Sequence, residues 1–386
     1  MRFSLATADN ILFKAGMINL AGRHAARLGK CALLVTGHNP RHNDTLISKL
    51  TEAELDWFSF SINGEPCLEQ IVEGVSRARE NRCDMVIGMG GGSAMDAAKA
   101  IAALVTNTHP IETYLEVIGE GQPLDHPPLP SMAIPTTAGT GSEVTRNAVL
   151  LSAKHRVKVS LRSPEMVPDL ALVDPELTLS LPPDITAYTG CDTLTQLLES
   201  FVSTKAIYFT DALCREGLLH VVDALPRAVD NGRDLEARTR MSLASLFSGL
   251  TLSNAGLGAV HGIAGPLGGM IQAPHGALCA ALLPHVWEAN LLKVQQDGDY
   301  LRSARRFKNA ARLLTGNPYI DAEAGIHYLS QLIRRLKIPP LAHWGLEHRA
   351  IPELVQKARA SSSMKGNPVH LSDETITHII ENALSV

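Results

Sequence analysis

The stretch IGMGGGSAMDAAKAIAALV, Ile87 to Val105, decides the fold. An apolar run from Met85 to Met89 stops at three glycines, Gly90, Gly91 and Gly92, and an alanine-rich segment of helical character follows. A buried strand entering a tight turn and then a helix is the pattern of a parallel sheet covered by helices. The turn also carries chemistry. Backbone amides at a helix start, left uncovered by glycine and flanked by Ser93, form a site for an anion such as a pyrophosphate.

Outward from this stretch the pattern repeats. CALLVT, ahead of Gly37, reads as a second buried strand, and Leu68 to Asn81 between the two has apolar positions at helical spacing with charges on the other face. Further short strands are expected at Ser131 to Ile134, around Val157 to Leu161 and at Leu170 to Val173. After Leu181-Pro182-Pro183 the periodicity becomes helical and recognisable strands disappear. The predicted organisation is an α/β domain over 1–181 and an all-helical domain over 182–386. A last helix is expected to start at Ser372, after the turn Gly366-Asn367-Pro368.

The 386 residues carry a formal net charge of -4, with 45% hydrophobic and 19% charged residues. A basic surface of the kind that binds nucleic acid is not expected, and small molecules are the expected partners. The six cysteines, Cys31, Cys67, Cys83, Cys191, Cys214 and Cys279, contain no C-x-x-C pair, so they read as small core residues in a reducing, cytoplasmic protein. Neither a secretory leader nor a membrane span is expected.

A second loop, PTTAGTGSEVT at Pro135 to Thr145, also follows a strand. Its Thr136, Thr137, Thr140 and Ser142 offer hydroxyls and exposed amides to a phosphate and ribose. The glycine spacing is not G-x-G-x-x-G, so the nucleotide cradle is of another kind. Gly37 stands where an acidic side chain would hold an adenosine ribose. Its lack of a carboxylate, with Arg41 and His42 nearby, leans the cofactor towards NADP(H) or dual use, with NAD left open.

In the second half, Asp192 and Gln196 stand four apart on one helical face. His261 and His275 lie in a stretch rich in glycine, proline and apolar residues, where imidazoles need partners. Two imidazoles and a carboxylate form a donor set for zinc or iron that leaves a position for a substrate oxygen.

Five segments in order, GGGSAMDAAK, PTTAGTGSEVT, PDLALVDPELT, GCDTLTQLLES and NAGLGAVHGIAGPLGG followed by PHG, resemble the successive motifs of the iron-containing (group III) alcohol dehydrogenases, of the dehydroquinate synthase-like superfamily. The resemblance covers nearly the whole chain. It implies an N-terminal dinucleotide-binding α/β domain, an all-α metal-binding domain, catalysis in a cleft between them, and a homodimer or larger homo-oligomer. By position, Gly92, Ser93 and Asp96 would hold the pyrophosphate, Thr136, Thr137 and Thr140 the nicotinamide-side phosphate and ribose, and Lys158 a ribose hydroxyl, with Gly37, Gly91, Ser142 and Val149 also binding the cofactor. Asp192, Gln196, His261 and His275 would hold the metal, with Asp192, His261 and His275 at the catalytic centre. A small alcohol and its aldehyde or ketone would be interconverted with NAD or NADP and a divalent Fe or Zn ion.

Three positions depart from the pattern. Gln196 stands where the family usually has His, Gly265 where a second His usually follows His261 by four residues, and Gly37 where many relatives carry Asp. Two other readings stay open on these grounds: a metal-free keto-acid reductase resembling the maleylacetate reductases, and a nucleotide-binding protein without catalysis.

Overall fold

A computed structural model of the chain describes residues 4–37, 43–296 and 301–385. The chain divides after Ser180 into two units, Leu5–Ser180 and Leu181–Val386.

Among the described residues the first unit is built on eight strands: β1 (Asn10–Phe13), β2 (Cys31–Gly37), β3 (Asp56–Ile62), β4 (Met85–Gly90), β5 (Ser131–Pro135), β6 (Asn147–Ser152), β7 (Val157–Arg162) and β8 (Leu170–Val173). Six form one sheet in the order β1-β8-β5-β4-β2-β3, and every pairing in it is parallel. β6 and β7 form a separate antiparallel hairpin. Side chains alternate between the faces of the sheet. Leu33, Val35 and Val86 join the core on one face, together with the hairpin's Ala148, Leu150, Val159 and Leu161. Ala32, Leu34, Met85 and Ile87 join the core on the other.

Helices α1 (Ala21–Ala25) and α2 (Asn43–Glu52) cover the second of these faces, through Ala21, Ala25, Leu46 and Leu50. Helices α3 (Leu68–Glu80) and α4 (Gly92–Thr106) cover the first, through Ile71, Val75, Ala97 and Ile101. From β2 the chain moves outward to β3, then returns across β2 to β4 and continues the other way through β5. The direction of winding therefore reverses between β2 and β4, and the carboxyl ends of strands at such a reversal are where open α/β sheets bind ligands. Gly37 ends β2 and Gly90 ends β4.

The second unit is helical: α5 (Pro183–Val202), α6 (Tyr208–Asp230), α7 (Leu235–Ala255), α8 (Ala259–Met270), α9 (His275–Gln296), α10 (Leu301–Thr315), α11 (Glu323–Arg335), α12 (Ile351–Ala360) and α13 (Asp373–Leu384). Helix α5 is buried along most of its length, with Leu194, Leu197, Leu198 and Phe201 in the core. Gly190 lies inside this helix, and a Cβ there would meet Leu225 Cδ1 at 2.3 Å, so α5 and α6 pack at glycine distance. Trp287 and Phe307 pack with ring centroids 4.5 Å apart. Ser372 caps α13 by accepting a hydrogen bond from the Thr375 amide at 3.2 Å. Among the described residues no single helix is long and apolar enough to cross a membrane.

Candidate metal centre and nucleotide cradle

Three helices of the second unit build one cluster. Helix α5 presents Asp192, Gln196 and Glu199 along one face, because positions four and seven apart lie above one another. His261 sits in the first turn of α8, His275 opens α9, and Cys279 follows one turn later on the same side. One donor atom from each of Asp192, His261, His275 and Cys279 lies within 4.8 Å of all the others. His261 Nε2 is 3.2 Å from Asp192 Oδ1, and His275 Nε2 is 3.9 Å from the same oxygen.

The backbone sets part of this spacing. A Cβ at Gly276 would come within 2.0 Å of the Tyr188 carbonyl oxygen, so the start of α9 touches the main chain of α5 beside Asp192. Helix α8 is anchored from a distance. The Val260 amide donates to Glu199 Oε1 at 2.6 Å and the Ala259 amide to Asn367 Oδ1 at 3.1 Å, which satisfies amides that a helix start leaves unpaired and sets a carboxylate at its positive end.

Glu199 has a second contact: its Oε2 lies 2.7 Å from His261 Nδ1. A proton held on Nδ1 leaves the Nε2 lone pair facing Asp192, the arrangement by which carboxylates orient metal-binding histidines. Gln196 donates from Nε2 to Asp192 Oδ2 at 3.1 Å, and its Oε1 accepts from Ser248 Oγ at 2.7 Å.

Burial opposes protonation of His261, but the Cys279, Asp192 and Glu199 groups outweigh it and raise its pKa well above the ordinary histidine value. Burial would also raise Asp192, yet its hydrogen bond to His261 and the neighbouring histidine charge hold it below the usual carboxylate range. Burial disfavours a thiolate at Cys279, and the two histidines reverse that, lowering its pKa. A buried carboxylate, two imidazoles and a thiol, with a carboxylate behind one imidazole, fit a divalent zinc or iron ion.

Two of these residues escape the sequence reading. Cys279, grouped there with the core cysteines, is fully buried but faces His261 and His275. Its signal is the four-residue spacing from His275. Glu199 carries the comparable signal, seven residues beyond Asp192 on one face.

The first unit holds the glycine turn and the threonine loop. Gly91 caps α4 without any side-chain hydrogen bond, leaving the first-turn amides of Gly92 and Ser93 uncovered by a cap. A Cβ on Gly92 would strike Thr140 Cγ2 at 2.7 Å, and one on Gly91 would stand 3.5 Å from Thr137. The Thr136 amide donates to Gly90 O at 2.9 Å. The turn and the loop thus lie side by side with room for backbone but not for larger side chains, a surface suited to a phosphate.

Asp96 and Val149 bond to each other. Asp96 accepts from the Val149 amide at 2.9 Å and from the Ser142 hydroxyl, and pairs with Lys99 at 3.0 Å. Lys99, which sequence reasoning passed over, is buried and donates to Ser142 O at 3.0 Å, Thr145 Oγ1 at 2.8 Å and Asn147 O at 2.6 Å. It fastens the loop to α4. Lys158 pairs with Glu65 at 2.8 Å. Among the described residues a Cβ on Gly37 would meet nothing within 4 Å. Arg41 and His42 lie outside the described residues.

The sequence profile of iron-containing alcohol dehydrogenase matches residues 8–175, and that of the Fe-containing alcohol dehydrogenase family, C-terminal, matches residues 186–384. The chain belongs to the iron-containing alcohol dehydrogenase family. It is 33% identical over 380 residues to the NAD-dependent methanol dehydrogenase of Bacillus methanolicus, covering 96% of each chain. It superposes on the crystal structure of a 1,3-propanediol oxidoreductase with a TM-score of 0.92 and 31% identity, covering 99% of this chain and 100% of the other. The sulfoacetaldehyde reductase of Bifidobacterium kashiwanohense, solved in complex with NAD+, matches with a TM-score of 0.86 and 30% identity over 100% of this chain and 99% of that one. As a member of the iron-containing alcohol dehydrogenase family, the chain is an alcohol dehydrogenase with the two-part fold of its relatives, a parallel α/β sheet followed by helices.

Proposed function

We propose that this alcohol dehydrogenase interconverts a small alcohol and its aldehyde or ketone by hydride transfer with NAD or NADP, with a divalent metal held by Asp192, His261 and His275. The convergence of those three side chains from three helices carries the reading. When bound, the ion supplies Lewis acidity towards a substrate oxygen.

The chain's own groups do the rest. Asp192 offers negative charge to the ion, Glu199 keeps the Nε2 lone pair of His261 directed inward, and burial of Asp192 and His261 excludes competing water. A Cβ at Gly265, one turn beyond His261, would meet nothing within 4 Å beyond its own helix, which leaves room for substrate.

In the nucleotide domain, which we take as residues 1–181, the amides at Gly91, Gly92 and Ser93 would receive the pyrophosphate. Thr136, Thr137, Thr140 and Ser142 would line the nicotinamide side, and Lys158 would approach a ribose hydroxyl. Asp96 and Val149 would act indirectly, by holding the threonine loop against α4. The missing carboxylate at Gly37 favours acceptance of NADP(H) as well as NAD(H). The proposed assembly is a homodimer or larger in the cytoplasm, a compartment that suits six free cysteines.

The test is turnover of a panel of short alcohols and aldehydes with both nucleotides, before and after chelation. Loss of activity on stripping, and its return with Fe(II) or Zn(II), is the expected result; full turnover by metal-free protein would overturn the metal-dependent reading.

A further inference from the structure

We propose that Cys279 is a metal ligand in this chain and fills, as a thiolate, the place in the coordination shell that Gln196 leaves empty. The inference rests on the reading of Asp192, His261 and His275 as a metal centre, and concerns which fourth side chain completes it.

Gln196 is poorly placed to coordinate. The only atom an amide offers a cation is its oxygen, and Oε1 of Gln196 is turned towards Ser248 Oγ, 2.7 Å away, a hydroxyl whose single proton is shared with the Ser245 carbonyl at 2.8 Å. The end of the amide that faces the cluster is Nε2, which donates to Asp192 Oδ2 at 3.1 Å. Turning the amide over would set its oxygen against that carboxylate oxygen, two acceptors that only a bound cation could hold in contact. Both side chains are buried, so water cannot relieve the clash. Gln196 is therefore a positioning residue for Asp192.

Cys279 has the opposite geometry. Its Sγ lies 3.6 Å from His275 Nε2 and 3.8 Å from His261 Nε2. Around a tetrahedral zinc ion with nitrogen at about 2.05 Å and sulfur at about 2.3 Å, the nitrogen-to-sulfur edge is about 3.6 Å and the edge between two light donors about 3.3 Å. The two sulfur edges, 3.6 and 3.8 Å, lie at or near the first figure. The 3.2 Å edge from His261 Nε2 to Asp192 Oδ1 matches the second, and the 3.9 Å edge from His275 is somewhat open. Spacing along α9 gives the reason: positions 275 and 279 are one turn apart, so a ligand at the first brings the second to the same side.

The substitution changes the chemistry of the site. A thiolate in place of an imidazole lowers the charge of the loaded centre by one and softens the donor set, which shifts selection from Fe(II) towards Zn(II) and Co(II). Asp192, His261, His275 and Cys279 would together hold the ion, and Lewis acidity towards a substrate oxygen is the chemistry it would supply.

Cobalt reports the ligand directly and without turnover. Metal-stripped full-length protein is loaded with Co(II) and its absorption recorded for the wild type, Cys279→Ser, Gln196→Ala, Cys191→Ser and His261→Ala. The inference expects one cobalt per chain in the wild type, with d–d bands and a near-ultraviolet sulfur-to-cobalt charge-transfer band. That band should vanish in Cys279→Ser and persist in Gln196→Ala and in Cys191→Ser, which alters a neighbouring thiol outside the cluster. Cobalt affinity should fall in Cys279→Ser by more than the roughly 10- to 100-fold that an outer-shell partner costs. A wild type with d–d bands that depend on His261 but no charge-transfer band, or a band that survives in Cys279→Ser, overturns the role of Cys279 and leaves the metal centre standing. A protein that takes up no cobalt, or takes it up equally in His261→Ala, defeats the metal centre itself and the inference with it.

Discussion

The Glu199 carboxylate sits 2.7 Å from the Nδ1 of His261 while also accepting from the main-chain amide one residue earlier, at Val260. One side chain thus fixes both the ring and the helix start that carries it.

Glu199→Gln keeps the size of this group and removes its charge. The amide can still accept from Val260, but it no longer secures the proton on Nδ1. Metal affinity is expected to fall about 10- to 100-fold, the range for outer-shell partners of metal-bound histidines, with a stability loss of about 1–2 kcal/mol. Metal titration against a competing chelator, beside a denaturant melt, measures both; unchanged affinity would show that the ring needs no such support.

Gly37 offers open space for a side chain at the end of β2. Gly37→Asp should fold normally and accept a ribose hydroxyl while repelling a 2′-phosphate. The ratio of kcat/KM with NADP to that with NAD is expected to drop by roughly tenfold or more, the scale of a charged contact made unfavourable. An unaltered ratio would place the adenosine ribose away from this strand end.

Gly265 lies four residues after His261 on α8, and a Cβ there would meet nothing within 4 Å beyond its own helix. Gly265→His removes a flexible residue from a helix interior, so melting should shift upward or stay level, on the scale of about 0.5–1 kcal/mol. The ring would occupy the room proposed for substrate. Selectivity should move towards the shortest alcohols, read as kcat/KM for a bulky alcohol divided by that for ethanol. A bulky substrate handled as well as before would show that it does not pass this position.

Glu143 is buried with no hydrogen-bond partner on Oε2, and burial pushes its pKa up to about 7. In the unfolded chain it returns to about 4.5. Between those values the unfolded chain releases a proton that the folded one keeps, so stability falls as pH rises through that window and the loss is complete above it. Glu143→Gln removes this dependence. Relative to wild type, the variant should gain stability from pH 5 to pH 8, at up to about 1.4 kcal/mol for each pH unit inside the window. Equal differences in Tm at the two pH values would show that Glu143 does not titrate there.

The parts of the fold legible in the sequence are those where burial is two-sided or a helix is long. β2, β4 and β5 are continuous apolar runs, and α3 has clear periodicity. β1 is four residues with no fully buried position, and the Trp57-Phe58 pair interrupts the alternation of β3 at the sheet edge. β6 pairs with β7 in a hairpin and otherwise makes a single bridge, from Leu151 to Cys67, so it lacks the apolar continuity of a central strand. Helices α1 and α2 are short, and neither was marked by a long apolar face.

At the candidate site, spacing reveals neighbours on one helix but not the meeting of helices. Asp192 and His261 stand 69 residues apart and touch. Residue chemistry groups the carboxylate with the two imidazoles as a donor set, the family resemblance adds their positions, and Cys279 stays among the core cysteines because the motif places no ligand there.

The contact of Gly276 with the Tyr188 carbonyl bears on what ion size the centre can tolerate. Side chains can repack around a guest, but two abutting peptide chains have no slack to give up. Selection for a larger cation such as calcium, with oxygen ligands at 2.3–2.6 Å, should therefore stall on rotamer changes at Asp192 and His275. It would succeed only through insertions that reset how the two segments meet.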